Sequence, residues 1–418
     1  MNSLRDSAPT CEQLGLTEML IHETVLLDEP AEGIPTVIST PRGLENAAKT
    51  LAQAHGPVAI DTERASGIRY GQRAFLVQIK RGNSGILLID PEPFENLAPI
   101  NNALRGVEWV LHAATQDLPC LEELGMIPDQ LFDTELGARI AGFDRVGLGS
   151  LVERLLGYQL KKEHSAVDWS KRPLPQDWLN YAALDVEILI DLRDAMEEIL
   201  REQGKFSYAE QEFDYLARHF QRHKPADPWR KTKGIHTLRN RRQLTALRNL
   251  WCERERLAEK KDIAPKRLLP DAALIQAAKT MPRSVPAVLQ IPGFQTRLLR
   301  REAPRWVRAI NAAKTDQHPV PYTTPAGGPP PIKAWEQKRP ESLQLIQACK
   351  EILHNIATLH NIPQENIVQP DTLRRLCWDP PANASTHSIS QALQELGARP
   401  WQIELVVPAI QPVFAEIL

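Results

Sequence analysis

Short apolar runs with the character of buried strands are confined to one stretch of this chain. They are Thr36–Ile38, Val58–Ile60, Phe75–Ile79, Gly85–Ile89 and Trp109–His112. Gly-containing turns join the second, third and fourth, which predicts an antiparallel meander. Beyond residue 118 the spacing of apolar side chains is helical, over 118–125, 133–141, 148–157 and 175–203, and again through 237–313 and 335–418. One sheet with helices around it is therefore followed by helices alone. That pattern predicts a mixed α/β domain over 31–225 and two small all-α bundles over 237–313 and 335–418, after an irregular N-terminal segment of residues 1–30. The total of 418 residues agrees, since domains usually run to about 100–200 residues each.

Local signals sharpen the boundaries. Thr40 and Pro41 read as N-cap and first residue of a helix carrying Leu44, Ala47, Ala48 and Leu51, and Gly56-Pro57 lies beyond its end. Residues 314–334 contain Pro319, Pro321, Pro325 and Pro329 to Pro331 with Gly327-Gly328, the composition of a semi-rigid linker. Leu268–Leu274 and Val368–Leu373 resemble each other as loop-to-helix starts, with Asp271 and Asp371 expected as N-caps. The two bundles then read as a diverged duplication.

Composition narrows the class. Apolar residues make up 42% of the chain, and no run approaches the 18 uncharged residues of a membrane span. The N-terminus lacks a basic stretch followed by an apolar core, so no secretory leader is expected. Cys11, Cys120, Cys252, Cys349 and Cys377 are scattered, with no closely spaced pair, which suits a reducing cytoplasm better than a disulfide framework. Net charge is only −2, but it is segregated. Residues 229–308 hold 20 Lys and Arg against 6 Asp and Glu, and residues 1–228 hold 22 against 36. A charge run is ordinarily a solvated face. A net of +14 over one bundle instead points to a polyanionic partner, with Arg239, Arg241, Arg242, Arg300 and Arg301 among the candidate phosphate contacts. Trp251 and Trp306, at helical spacing, are expected in that bundle's core.

Three stretches carry candidate chemistry. Asp61 and Glu63 follow the strand Val58–Ile60 and, with a side-chain period of two, share one face. Two adjacent carboxylates raise the cost of each other's ionisation, so a cation between them is the stabilising solution. Asp117 stands at a strand-to-helix junction, where it could also serve as an N-cap. Tyr181 and Asp185 are spaced i, i+4 on one helix face, above a buried stripe of Leu179, Ala183, Val186 and Ile190. A set of hard oxygen ligands of this kind suits Mg²⁺ or Mn²⁺. Asp133 reads as a helix N-cap and His112 as a structural strand-end histidine.

The segments Val58–Glu63 (VAIDTE), His112–Leu121 (HAATQDLPCL) and Tyr181–Leu189 (YAALDVEIL) resemble the three motifs of the 3′–5′ exonuclease superfamily with four acidic ligands. Asn180 stands where the histidine branch has its histidine, so the resemblance is to the tyrosine branch. Asp168–Leu174 (DWSKRPL) narrows it to the ribonuclease D family. Residues 237–313 resemble the helicase-and-ribonuclease-D C-terminal (HRDC) domain, and 335–418 resemble a second, more diverged copy. This resemblance implies a ribonuclease H-like catalytic fold over 31–225 and two divalent ions, Mg²⁺ or Mn²⁺. Asp61 would bridge the ions, Glu63 and Asp185 would complete the first site, and Asp117 would hold the second through water. Tyr181 would orient the attacking water. It further implies hydrolysis of RNA from a free 3′ end to nucleoside 5′-monophosphates, with tRNA precursors as substrates and no obligatory protein or membrane partner. Lys162, Trp169 and Arg172 would meet the terminal nucleotide, unless Trp169 packs and Arg172 forms an ion pair. The alternatives are a DNA 3′–5′ exonuclease and a catalytically silent nucleic-acid scaffold. The complete carboxylate set argues against the scaffold, while no residue stands out in the sequence as the one that reads the ribose 2′-hydroxyl.

Overall fold

A computed structural model describes residues 24–161, 167–220, 226–322 and 328–417. The strands, in chain order, are β1 (Val25–Leu27), β2 (Val37–Ile38), β3 (Val58–Arg64), β4 (Ala74–Arg81), β5 (Ile86–Ile89), β6 (Glu108–Leu111), β7 (Gln130–Asp133) and β8 (Tyr158–Leu160). Six of them form one mixed sheet in the order β2-β5-β4-β3-β6-β7. β3 to β5 are the antiparallel meander expected from their turns, with Ile60 opposite Ile79 and Val77 opposite Ile89. β6 and β7 run parallel to β3. β3 lies inside the sheet because Val58, Ala59 and Ile60 are fully buried, and helices cover such a two-sided strand.

Thr40 caps the helix Pro41–Gln53 by accepting from Gly43 N, with Pro41 at its first position, as the sequence indicates. Four expectations need correcting. The N-terminal segment is not irregular throughout its described part, because β1 pairs in parallel with β8. β7 is a four-residue strand that sequence periodicity does not reveal, being too short to show an alternation. The helical region 175–203 is two helices, Gln176–Glu187 and Leu189–Glu202, separated at Ile188. Asp271 and Asp371 are not N-caps: they stand inside the helices Asp271–Thr280 and Pro370–Trp378 and pair with Arg254 and Arg375 instead.

Residues 241–315 form a helical bundle built on Arg241–Lys261, whose Leu244, Leu247, Leu250 and Leu257 pack around Trp306 and Trp229. Trp251 is only partly buried beside that core. The last unit repeats the succession of the first. A 21-residue helix ends in a left-handed residue, Asp262 in one and Asn361 in the other. A four-residue helix follows, Pro265–Leu268 or Gln364–Ile367, and then the helices just named. The proline-rich linker is packed at both ends. Val320 is buried and its N–H donates to Thr245 Oγ1 at 3.0 Å, and Trp335 Nε1 donates to Pro330 O at 2.8 Å.

Polar contacts fasten each bundle to the sheet domain, the buried ion pair of Glu212 with Arg399 among them, and Lys205 Nζ also donates to Asn361 O at 3.3 Å. Asp262 accepts from Arg73 at 2.9 and 3.0 Å and from Tyr70 N at 3.2 Å, which ties the first bundle to the loop between β3 and β4. Glu212, on the helix Phe206–His219, accepts two bonds of 2.6 Å from Arg399 and one of 2.8 Å from Trp401 Nε1. Trp401 also stacks on Tyr208 at 4.8 Å. Glu212 is 7% exposed, so its removal strands the Arg399 charge. Glu212→Ala is expected to destabilise the folded chain by about 3–5 kcal/mol. Chemical denaturation checks this, and a loss below about 1 kcal/mol would contradict a buried pair.

Candidate active site

β3 ends at the surface of the sheet domain with its two acidic residues against the helix Gln176–Glu187. That helix buries Leu179, Ala183 and Val186, as its pattern predicts, and this fixes the rotation that presents Asp185. Ile190 extends the stripe only as a partly buried residue of the next helix. Carboxylate oxygens of Asp61, Glu63 and Asp185 lie within 4.8 Å of one another. Burial, and secondarily Asp117 and Asp185, hold the Asp61 carboxyl well above its usual range. Burial followed by Asp61 and Asp185 does the same to Glu63. Burial pushes Asp185 up to about 7, although a hydrogen bond from Tyr181 pulls it down. Burial and these carboxylates push the Tyr181 phenol upward, so it keeps its proton and donates. Three acidic groups that resist ionising side by side form a donor set suited to a hard divalent cation, whose charge removes the resistance.

Asp117 lines the same cavity, which measures about 680 Å³, but stands outside the group of three. It occupies the position before the helix Leu118–Glu123 without making a capping bond. Its carboxylate instead accepts from Thr62 Oγ1 at 2.6 Å and pairs with Arg64 at 3.1 Å. Burial raises its pKa, while Arg64 and Thr62 pull it down. The backbone leading to Asp117 is anchored by Asp133, which accepts from Ala113 N at 3.0 Å and Ala114 N at 2.9 Å. Asp133 is also the N-cap of Thr134–Ala141, as expected, taking Glu135 N at 2.9 Å and Leu136 N at 3.2 Å. Its second task was not legible, because the partners lie about twenty residues away in sequence and meet only through β6–β7 pairing.

The proposed nucleotide contacts fare differently. Trp169 is completely buried, 5.5 Å from the Trp178 ring and 6.4 Å from that of Tyr181, so it cannot stack on a nucleotide. It packs behind the tyrosine. Arg172 is held by both Asp90 oxygens at 2.6 and 2.7 Å and by Phe75 O at 2.8 Å, which makes it a brace between this segment and the sheet. Lys162 lies outside the described residues. Arg239, Arg241, Arg242, Arg300 and Arg301 are all exposed on the basic bundle, although Arg241 and Arg242 also donate to carbonyls of Val320 and Lys314.

A family model described as 3′-5′ exonuclease matches residues 35–201, one described as HRDC domain matches 243–310, and one described as 3′ to 5′ exonuclease C-terminal domain matches 328–414. Ribonuclease D of Gluconacetobacter diazotrophicus is 31% identical over 354 residues, covering 83% of this chain and 87% of that one. Ribonuclease D of Granulibacter bethesdensis is 29% identical, covering 82% and 86%. A crystal structure of a protein from Bifidobacterium adolescentis superposes with TM-score 0.84 at 38% identity over 94% of this chain and all of that one. Escherichia coli RNase D, described as an exoribonuclease involved in structured RNA processing, superposes with TM-score 0.65 at 25% identity over 86% and 98%. The class is thus the ribonuclease H-like 3′–5′ exonucleases with HRDC and C-terminal helical domains. Within it, the chain belongs to the ribonuclease D family and is a 3′–5′ exoribonuclease.

The crowding of carboxylates makes a prediction in the absence of metal. Asp61→Asn removes one of the repelling charges and is expected to raise the melting temperature of EDTA-treated protein by about 2–4 °C, as roughly 1 kcal/mol would. Scanning calorimetry checks the sign, and a lower melting temperature would contradict it.

Proposed function

We propose that this exoribonuclease shortens RNA one nucleotide at a time from a free 3′ end, with two divalent cations, Mg²⁺ or Mn²⁺, held by Asp61, Glu63, Asp117 and Asp185. The observation that carries the reading is the convergence of Asp61, Glu63 and Asp185 within 4.8 Å beside Tyr181 in one open cavity. Cations bound there would lower the pKa of a water and neutralise charge developing on the leaving 3′ oxygen. Asp61, Glu63 and Asp185 would together hold a cation, and Asp117, kept in place by Thr62, would serve the second. Tyr181 holds its proton and orients the attacking water by a hydrogen bond, backed by Trp169. No side chain acts as nucleophile, and the products are nucleoside 5′-monophosphates.

The basic bundle captures the RNA. Several of its acidic residues are engaged with its own arginines or with the sheet domain, as Asp271 is with Arg254, Glu253 with Arg305, and Asp262 with Arg73. Arg300 and Arg301 are exposed among the basic side chains, Arg301 with only a 3.9 Å contact to Glu302. We place the activity on structured RNA, tRNA precursors among them, because a relative of the same architecture processes structured RNA. Free thiols at Cys120, Cys349 and Cys377 suit a reducing cytoplasm.

Asp61→Ala and Asp185→Ala are expected to abolish hydrolysis while RNA affinity stays within about threefold of the parent. Tyr181→Phe slows turnover less, because it removes an orienting bond and no ligand. Product release followed on gels, with binding measured by fluorescence anisotropy, decides this. Substantial turnover by either aspartate variant overturns the assignment. RNA affinity should fall steeply with salt, and removal of Arg300 and Arg301 together should lower the log–log slope by about 1.4, given roughly 0.7 per phosphate contact on single strands. An unchanged slope removes those two residues from the RNA surface.

A further inference from the structure

His112 is the last residue of the second motif's strand run, and the cation chemistry has no use for an imidazole. It nevertheless lines the active-site cavity, half-buried, together with Glu63, Tyr181 and Leu148. One of its ring nitrogens is committed. Nδ1 lies 2.9 Å from Thr134 Oγ1, and that same hydroxyl reaches the backbone oxygen of Leu111 at 3.3 Å. A carbonyl oxygen can only accept, so both contacts are hydrogen bonds in just one assignment, with the single hydroxyl proton of Thr134 given to Leu111 O. In that assignment the Thr134 oxygen is the acceptor toward the ring, and Nδ1 carries the imidazole proton. Nε2 is left as a bare lone pair. It has no hydrogen-bond partner among the described residues, and it is not among the sealed polar atoms, so it opens to the cavity. The arrangement is rigid: Thr134 is fully buried and follows Asp133, which is bound on both sides. Burial lowers the His112 pKa to about 4, so the ring is neutral at physiological pH.

From this geometry we infer that His112 Nε2 accepts a hydrogen bond from a ribose hydroxyl of the RNA at its 3′ end, and so discriminates RNA from DNA at this site. The inference rests on the exoribonuclease reading above and deepens it. A neutral acceptor is repelled by phosphate oxygens, which have no hydrogen to give, so it does not read the backbone. Amino groups on bases could donate, but uracil has none, and an enzyme that trims through every sequence needs a donor that every RNA nucleotide carries. The 2′-hydroxyl is such a donor and is what DNA lacks; the terminal 3′-hydroxyl also donates but is common to DNA, so a contact there gives no preference between the two.

The test uses the full chain and a single-stranded RNA ending in uridine, against the same strand ending in 2′-deoxyuridine. Release of the terminal nucleotide is measured as kcat/KM for the parent, His112→Phe and Thr134→Val, with melting temperatures to verify folding. The parent is expected to favour the ribose end by about tenfold, the upper range for one neutral hydrogen bond. His112→Phe should bring the ratio close to one. Thr134→Val, which frees the ring to take the other tautomer, should give an intermediate ratio. A parent ratio of one, or a parent-like ratio in His112→Phe even if both rates fall, overturns the inference while leaving the exoribonuclease intact. If the parent with Mg²⁺ or Mn²⁺ shortens neither strand, the exoribonuclease reading fails and this one falls with it.

Discussion

The repulsion among Asp61, Glu63 and Asp185 is the constraint on which the remainder of the structure depends. Three carboxylates with oxygens within 4.8 Å of one another, taken largely out of water, each raise the cost of charging the next. Left to itself, the end of β3 would splay apart. What prevents this is apolar packing on both sides: Val58, Ala59 and Ile60 sealed inside the sheet, and Leu179, Ala183 and Val186 sealing the helix that carries Asp185. The site is therefore held together by surfaces that do not touch it, while its charged ends are left short of compensation that a divalent cation would provide. Asp117 has partners built in, an ion pair with Arg64 and a hydrogen bond from Thr62, as Asp185 has one from Tyr181.

The two helical units are joined to this frame through its supports rather than its surface. The C-terminal unit grips the helix Phe206–His219 at Glu212, and Phe213 of that helix meets Phe132 of β7 at 4.7 Å. Asp133, the next residue of β7, holds the turn before Asp117. A continuous set of packed contacts thus runs from Arg399 to one of the four carboxylates. The basic bundle is attached by Asp262 to the loop that leaves β3 immediately after Glu63 and Arg64. The basic bundle is thereby fixed with respect to the strand that carries Asp61 and Glu63.

Much of this was legible in sequence because the period of the apolar pattern states which face is buried. Leu179, Ala183 and Val186 predict the side from which Asp185 emerges, and the turns between the β3, β4 and β5 segments predict their antiparallel pairing. What escaped was decided by contacts between distant residues. β7 and the β1–β8 pair are too short to show an alternation and exist through their partners. Trp169 and Arg172 read equally as nucleotide contacts or as packing until the Trp178 and Tyr181 rings and Asp90 are placed beside them. His112 looked like a structural histidine, and its Nδ1 is one. Only the position of Thr134, twenty-two residues on, shows that the other nitrogen has been left as an acceptor in the cavity.

The central claim is that this cluster works only when a divalent cation offsets its charge. The most direct measurement strips the protein with EDTA, supplies a 5′-labelled single-stranded RNA with a free 3′ end, and follows its length as Mg²⁺ or Mn²⁺ is restored. The account predicts no shortening before addition, and a saturable return of stepwise shortening that releases nucleoside 5′-monophosphates. Shortening that persists in EDTA, or mononucleotides bearing 3′-phosphates, would contradict it.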